Sequence, residues 1–191
     1  MKCLMCENLA LTHICSSCQE LFLAPSLYKR QISNGVEVIS FYKYKEIKEL
    51  LHTKHTDLGY YIYTLLAQKS FEKFAEEFKF LDKVVSIAID DTIESGYSHT
   101  AILNRALESK YINPIYSHLR AKNKISYSGK SREFRLLNPR DFSFKEFIGN
   151  EVILVDDIIT TGSTLSQAIE VMKAHKKEVL FCLTLSDVSL K

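Results

Sequence analysis

The segment from Val152 to Thr164, VILVDDIITTGST, places two adjacent carboxylates and a turn rich in hydroxyl groups within nine residues, 156–164. A short apolar run precedes them, and its lack of polar residues is typical of a central strand in a parallel sheet that is covered on both faces. Because ligands of such sheets bind beyond the carboxyl ends of the strands, residues 156–164 are the first candidate for a functional site.

The turn TTGST has the chemistry to hold a single phosphate group. Gly162 permits a close backbone approach or a positive φ. The N–H groups of a tight turn, together with the N-terminus of the next helix, form an anion site. Hydroxyl groups surround the glycine at Thr160, Thr161, Ser163 and Thr164. The loop has neither the length nor the lysine of a P-loop, so it suits a terminal monoester phosphate rather than a triphosphate.

The two acids, Asp156 and Asp157, come a few residues before this turn. Carboxylates only accept hydrogen bonds, so they suit the two vicinal hydroxyls of a ribose, either directly or through Mg²⁺. A sugar 5-phosphate held by the turn would bring its 2- and 3-hydroxyls to these acids. The alternative is that the turn only caps the following helix, but a cap needs one such residue and gives two unpaired carboxylates no structural purpose.

Four of the five cysteines form two CxxC pairs near the N-terminus, and the pairs are separated by eight residues. The four are Cys3, Cys6, Cys15 and Cys18. This spacing predicts a closed tetrahedral zinc site of structural type. Four unliganded thiols are the weaker alternative, because residues 1–25 are too short to fold by apolar burial alone. The fifth, Cys182, lies in the run EVLFCLTLSD and is interpreted as a buried strand residue.

Strands alternate with helices along the rest of the chain, which predicts an α/β fold with a mostly parallel sheet flanked by helices. The expected strands are 36–44, 83–90, 112–119, 151–157 and 178–186, and the expected helices are 46–55, 58–80, 97–109 and 164–175. The organisation is therefore a cysteine unit at 1–25 and a main domain at 36–191, with 24–35 as the hinge. We expect the apolar residues Met5, Leu9, Ile14, Leu21 and Phe22 to anchor the cysteine unit on the main domain.

Residues 120–140 are the most basic part of a chain whose net charge is only +2. Seven cations stand there against the single acid Glu133, and they are Arg120, Lys122, Lys124, Lys130, Arg132, Arg135 and Arg140. Arginine forks suit pyrophosphate, whereas cations interleaved with Tyr127 and Phe134 suit single-stranded nucleic acid. A solvated surface is the third interpretation, and all three stay open. No apolar run approaches the roughly 18 residues of a membrane helix.

The segment VILVDDIITTGST resembles the phosphoribosyl-pyrophosphate (PRPP) signature of type I phosphoribosyltransferases, in which acids bind the ribose hydroxyls and the TTG loop binds the 5-phosphate. Together with the four-cysteine start, the chain resembles the ComF family of competence proteins, which fuse a zinc knuckle to a phosphoribosyltransferase-like domain. FYKYKEIKELLHTKH and SGKSREFRLLNPRDF are similar to two further segments of that family, the first of which places Lys54 at a family lysine.

The chain departs from the family at several points, which include VSIAIDD in place of a Pro-Val-Pro-like strand end and Tyr127 in place of a glutamine. SGYSHTAIL stands where the family has Arg-Gly-Phe-Asn-Gln, so Ser95 and His99 replace an arginine and a glutamine. The loop before it carries Asp90, Asp91 and Glu94 where the enzymes contact pyrophosphate. A carboxylate-rich loop would repel pyrophosphate, which weighs against catalysis, and no catalytic residue is assigned.

The resemblance implies PRPP with magnesium as ligand and structural zinc as metal. It also implies a role in DNA uptake during natural transformation, in which the protein binds incoming single-stranded DNA on the cytoplasmic side. We accordingly expect a cytoplasmic protein, peripheral to the inner membrane, with the DNA-import machinery as a partner. In this interpretation PRPP contacts Asp156, Asp157 and residues 160–164, while pyrophosphate or DNA contacts Arg120, Lys122, Lys130, Arg132 and Arg135. The alternative is an active magnesium-dependent phosphoribosyltransferase that joins a nucleobase or an amine to the ribose.

Overall fold

The computed structural model describes residues 1–93, 96–122 and 141–190. Within these ranges the strands are β1 (Tyr28–Gln31), β2 (Glu37–Lys43), β3 (Val84–Ala88), β4 (Ile112–Ile115), β5 (Leu119–Ala121), β6 (Phe142–Phe144), β7 (Glu151–Ile159) and β8 (Glu178–Asp187). The helices are α1 (Ser16–Phe22), α2 (Tyr44–Leu51), α3 (Asp57–Ala67), α4 (Lys73–Glu77), α5 (His99–Arg105) and α6 (Ser163–Ala174). A π-helical turn at Gln68–Glu72 joins α3 to α4.

Six of the strands form one sheet in the order β1-β2-β8-β7-β3-β4. Every neighbouring pair is parallel except β1, which runs antiparallel to β2 at the edge. Strands β5 and β6 form a separate antiparallel pair. Parallel neighbours need crossover connections, and helices supply them here. The predicted fold class, a mostly parallel sheet with flanking helices of the phosphoribosyltransferase-like type, is confirmed.

Both faces of the sheet are covered, which explains why the strand VILV is apolar throughout. Ile153 and Val155 of β7 belong to one core cluster, shared with α2, α3 and α5. Val152 and Leu154 belong to a second cluster, shared with α6. Successive side chains of a strand point to opposite faces, so a strand buried on both faces must be apolar at every position.

The predicted hinge at 24–35 is wrong for its central part, because Tyr28–Gln31 form β1 and pair with Glu37–Ser40 of β2. Strand β7 also runs two residues further than predicted, to Ile159. The segment before β1 is also tied to β2, since the Ser26 N–H donates to the Phe41 carbonyl at 2.9 Å. The four residues of β1, YKRQ, do not alternate between apolar and polar types. Because β1 is an edge strand, its residues are only partly buried or exposed.

The cysteine unit packs on the same core cluster as α2 and α3, but not through all the residues expected. Ile14 is buried and Met5 is partly buried against that cluster, as expected. Leu9, Leu21 and Phe22 are exposed, so that expectation is wrong for these three. Helix α1 ends at Phe22, and the next residue, Leu23, enters the core instead. Its carbonyl accepts a hydrogen bond from the buried Tyr42 hydroxyl at 3.0 Å.

The described helices include none with both the length and the apolar character to cross a membrane.

Candidate functional site

The two acids of the signature lie inside β7 rather than after it, and they therefore point to opposite faces of the sheet. Asp157 is buried on the face covered by α3 and α5, with a side chain only 10% exposed. Asp156 is partly exposed and lines a small cavity next to the turn that follows β7. The adjacent carboxylates thus face different surroundings.

The cavity beside Asp156 is formed by the predicted phosphate loop, 160–164. Four of the five loop residues line it, namely Thr160, Gly162, Ser163 and Thr164, together with Ile158, Ile159 and Leu165. Thr161 is not a lining residue; its hydroxyl lies 3.2 Å from Ser163 Oγ and accepts from the Ser163 N–H at 3.4 Å. Of the seven residues predicted to bind PRPP, the structure therefore brings five together around one cavity.

Gly162 is required at its position for two reasons. Its φ of +81° lies in the left-handed region, where a side chain adds strain, and it is the N-cap of α6. A Cβ built on it would lie 2.8 Å from Ile32 Cγ2, closer than real contacts allow. The loop can therefore turn into the helix, with its N–H groups at the positive end of the helix dipole, only with glycine here.

Asp157 holds three polar side chains on one carboxylate oxygen. Its Oδ2 lies 3.1 Å from Lys54 Nζ and 3.3 Å from His99 Nε2, and it accepts from the Tyr63 hydroxyl at 3.4 Å. Burial by itself raises the pKa of Asp157, but the charges and hydrogen bonds of Lys54 and His99 outweigh it and hold the pKa well below its usual value. The Asp157 carboxylate in turn raises the pKa of Lys54.

These contacts correct one step of the sequence argument, which treated both carboxylates as unpaired. Asp157 is an internal acceptor that ties the turn after α2, helix α3 and helix α5 to the central strand. His99, which stands at the position of a family glutamine, has a mostly buried ring beside Asp157. The spacing of residues along the chain could not have predicted these contacts, because Lys54 is 103 residues from Asp157.

The two acids described in the loop after β3, Asp90 and Asp91, are both engaged inside the protein, and Asp91 has a counter-charge. The Asp91 carboxylate is buried; it accepts from the Ser117 N–H at 2.6 Å and lies 3.3 Å from Arg120 Nε. The Asp90 carboxylate accepts from the Thr92 hydroxyl at 2.9 Å and from the Ala121 N–H at 3.4 Å. The expected repulsion of pyrophosphate is therefore reduced at Asp91, because Arg120 compensates its charge. Both carboxylates also anchor β5 and the Ser117 turn.

Two of the five predicted pyrophosphate or DNA contacts are described. Arg120 is engaged with Asp91, and its Nη2 also donates to the Ser117 hydroxyl at 2.7 Å. Lys122 pairs with Asp141 at 3.1 Å, and both side chains are exposed. The other three, Lys130, Arg132 and Arg135, lie outside the described residues.

The four N-terminal cysteines form one cluster, in which all the sulfur atoms lie within 4.8 Å of one another. Cys6 and Cys15 Sγ are 3.8 Å apart. Zinc–sulfur bonds of about 2.3 Å in a tetrahedron place sulfurs about 3.8 Å apart, so the cluster fits a four-coordinate zinc ion. His13 is not part of it; its ring packs on Tyr61 at 5.0 Å.

The thiols also differ in how readily they lose a proton. The backbone N–H of Cys15 donates to Cys3 Sγ at 3.3 Å, and this bond is the main reason that the pKa of Cys3 falls to about 6. Burial raises the pKa of Cys18 to about 12. A bound cation stabilises every thiolate that coordinates it. Cys182, predicted to be a buried strand residue, is buried in β8, and this prediction is confirmed.

Comparisons with known proteins give one family match, over part of the chain. A family model described as Phosphoribosyl transferase domain matches residues 121–189. No curated protein matches the chain. Among solved structures, a hypoxanthine phosphoribosyltransferase from Staphylococcus aureus aligns at 15% identity and a TM-score of 0.42, over 65% of this chain and 62% of that one. This chain thus spans less than two thirds of that protein.

Two further solved structures align over most of this chain. An orotate phosphoribosyltransferase from Aeropyrum pernix is 17% identical with a TM-score of 0.41, and the alignment covers 90% of this chain and 80% of that one. An adenine phosphoribosyltransferase is 19% identical with a TM-score of 0.40, covering 91% and 90%. At these identities no substrate carries over. The match over residues 121–189, the sheet and the cysteine cluster together show a phosphoribosyltransferase-like fold with an N-terminal four-cysteine unit.

Proposed function

We propose that the protein binds PRPP with magnesium and acts, as in the ComF family that its sequence resembles, in DNA uptake during natural transformation. The observation that carries the PRPP part is the cavity shared by Asp156 and the Gly162 loop. The loop offers N–H groups and hydroxyls to a 5-phosphate, and Asp156 offers a carboxylate to a ribose hydroxyl or to a magnesium ion beside it. Bound magnesium would neutralise the pyrophosphate group.

The zinc part of the proposal rests on the geometry of the cysteine cluster. Zinc held by Cys3, Cys6, Cys15 and Cys18 would have a closed shell, so it would fix the fold of the N-terminal unit and take no part in chemistry. That unit is tied to the sheet through Leu23 and Tyr42, and a folded unit would keep this contact in place.

The DNA part is supported by the family resemblance and by the basic composition of residues 120–140. Lys130, Arg132 and Arg135 would neutralise phosphates of single-stranded DNA, and the neighbouring aromatic residues would stack on its bases. Arg120 is the weakest member of the predicted set, because its guanidinium already compensates the buried Asp91. This function would place the protein in the cytoplasm, close to the DNA-import machinery of the inner membrane.

A second candidate function is an active phosphoribosyltransferase that transfers the ribose to a nucleobase or an amine. One observation favours it over the expectation from sequence. The acidic loop after β3 carries less free negative charge than its composition suggests, since Arg120 compensates the Asp91 carboxylate. Mg²⁺-pyrophosphate would therefore meet a weaker repulsion at that loop.

Phosphorus NMR of the full chain with PRPP and Mg²⁺, with and without a panel of nucleobases and amines, tests both functions. The proposal expects PRPP signals that broaden on binding without turnover. Pyrophosphate that appears with one acceptor only, above the background breakdown of PRPP, would establish the transferase instead. PRPP signals that stay sharp with every addition would refute PRPP binding. The variant Gly162→Ala is the control, because it places a Cβ against Ile32 and strains the loop.

A further inference from the structure

Arg30 connects the edge strand β1 to the loop that we propose for the phosphate. Its Nη2 donates to the Thr160 carbonyl at 2.7 Å, across 130 residues of sequence. Its Nε lies 2.9 Å from Asp187 Oδ2, at the end of β8. A guanidinium group spreads its charge over a planar fork of donors, so one side chain can donate to a carbonyl while its charge lies against a carboxylate.

By its hydrogen bond to the Thr160 carbonyl, Arg30 fixes the orientation of the peptide group between Thr160 and Thr161. In a planar trans peptide the carbonyl and the next N–H point in opposite directions. Because Arg30 holds the Thr160 carbonyl, the N–H of Thr161 points away from the hairpin that β1 and β2 form. The carbonyl is also kept from turning towards an anion in the loop.

Arg30 also compensates the charge of Asp187. This carboxylate is buried, with 1% of the residue exposed, and it is the β8 partner of Ile159, which lines the loop cavity. Its Oδ1 accepts from the N–H and the hydroxyl of Ser189, each at 2.8 Å. These neutral donors leave the charge uncompensated, so Arg30 supplies the opposite charge. Without it a buried negative charge would stand next to the proposed phosphate site and repel the ligand.

The tip of the same hairpin touches the loop at two further places. Ile32 Cγ2 lies 2.8 Å from the position that a Cβ on Gly162 would take. The Ser33 and Ser166 hydroxyls are 3.3 Å apart, which joins the tip to the first turn of α6. Polar contacts from Arg30 and Ser33 thus lie on either side of an apolar contact at Gly162, and together they cover one side of the loop.

We propose that Arg30 is a positioning residue for the 5-phosphate, and this inference rests on the proposed binding of PRPP by the loop. It does not touch the ligand. It fixes the Thr160 carbonyl and neutralises Asp187, so that the loop, which lacks the lysine of a P-loop, does not lie beside an uncompensated negative charge. Strand β1, which lies in the segment predicted to be a hinge, therefore supports the proposed binding site.

The test compares Arg30→Met with Lys29→Met in the full chain. Lys29 lies on the same strand, is exposed, and pairs with Glu37 at 3.1 Å rather than with the loop. Its replacement therefore controls for the loss of one positive charge. Affinity for PRPP and for ribose 5-phosphate is measured by calorimetry. We expect Arg30→Met to weaken both by about tenfold or more, the effect of a lost hydrogen bond to a charged group, and Lys29→Met to leave both within about twofold.

Amide hydrogen exchange of the protein without ligand gives a second readout. Residues 161–164 should exchange faster in Arg30→Met than in wild type or Lys29→Met, while the central strands keep their protection. If Arg30→Met fails to fold, Arg30→Lys replaces it, because lysine keeps the charge beside Asp187 but cannot bridge both groups. It should show the same faster exchange and a smaller loss of affinity.

Two negative results separate the inference from the proposed function. If wild type binds PRPP and the Arg30 variants bind as tightly as Lys29→Met, or if exchange at 161–164 is unchanged, the positioning role is overturned and PRPP binding stands. If wild type binds neither PRPP nor ribose 5-phosphate, the proposed function fails, and the assignment of Arg30 to a phosphate ligand fails with it.

Discussion

Lys54 Nζ lies 3.1 Å from Asp157 Oδ2, and this ion pair distinguishes Asp157 from the adjacent Asp156. Asp157 is committed to contacts inside the protein, with Lys54, His99 and Tyr63 on one oxygen. Asp156 lines the cavity of the phosphate loop. We therefore expect Asp157 to serve stability and Asp156 to serve binding, because neighbouring side chains of a strand point to opposite faces.

Single substitutions of the two acids should have different effects. Asp156→Asn should weaken PRPP binding by about tenfold or more, through loss of a charged acceptor, with the free energy of unfolding within about 0.5 kcal/mol of wild type. Asp157→Asn should lower the free energy of unfolding by about 1–3 kcal/mol, because Lys54 and His99 lose a charged partner. Calorimetry and urea unfolding measure the two effects. The double variant should bind no PRPP, and a binding loss confined to Asp157→Asn would reverse our assignment.

The same ion pair predicts a pH window for stability. The pKa of Asp157 lies well below its ordinary value of 3.8, so the stabilisation is complete above 3.8 and is lost as the pH falls through the lower, folded-state pKa. The pKa of Lys54 is raised from 10.5, so its stabilisation is complete below 10.5 and is lost as the pH rises through the folded-state pKa. Between pH 3.8 and pH 10.5 the Lys54–Asp157 ion pair contributes its full stabilisation to the folded state.

Urea unfolding of wild type and Lys54→Met across this range tests the window. The difference in free energy of unfolding should be constant between about pH 5 and 9 and should shrink below pH 3.8. Lys48→Met, which removes an exposed lysine paired with Glu49, is the control and should show little difference at any pH. A gap that stays constant down to pH 2 would show that Asp157 is not the partner responsible.

The fold could be predicted from the sequence because its signals are local. The apolar run of β7, the hydroxyl turn and the helical spacing of α6 each specify an element, and β7 begins at the predicted residue. Strand β1 gave no such signal: it has four residues at the edge of the sheet, and its burial alternates weakly. Its pairing with β2 and its contacts with the loop arise only in the folded chain.

The candidate site likewise combines residues that local sequence signals predict with residues that they do not. The loop residues and the cysteines were predictable, because a chemical motif with fixed spacing places each ligand within a few residues of the next. Lys54, His99 and Arg30 reach the site from other elements, at separations of up to 130 residues. Sequence patterns of one chain carry no information about such contacts, and the structural task of Asp157 depended on them.

The cysteine cluster predicts zinc in a one-to-one ratio with the chain. Cys18→Ser should lower the zinc content measured by elemental mass spectrometry to less than about a tenth, because oxygen replaces a thiolate of the closed shell. Cys182→Ser, in buried strand β8, is the matched control: it should cost stability but leave the zinc content unchanged. Acidification should release zinc from wild type, since protons compete for the thiolates. Full zinc content in Cys18→Ser would exclude the four-cysteine site.

Arg120 and Lys122 should differ in what their removal costs. Arg120→Ala leaves the buried Asp91 with the Ser117 N–H but without a counter-charge, so we expect the free energy of unfolding to fall by about 1–3 kcal/mol. Lys122 and Asp141 form an exposed pair, and Lys122→Ala should change it by less than about 0.5 kcal/mol. Thermal and urea unfolding check both values. Equal effects would mean that Arg120 is as free for a ligand as Lys122.

The basic segment itself provides the test of DNA binding. Replacement of Lys130, Arg132 and Arg135 by Ala should weaken binding of a single-stranded oligonucleotide and flatten its salt dependence. Each lost phosphate contact lowers the slope of log K against log salt by about 0.7, so three contacts lower it by about 2. Replacement of three exposed lysines elsewhere, Lys79, Lys83 and Lys110, removes the same charge and should leave the slope nearly unchanged. If both triple variants lose the same slope, the binding follows net charge and the segment holds no specific site.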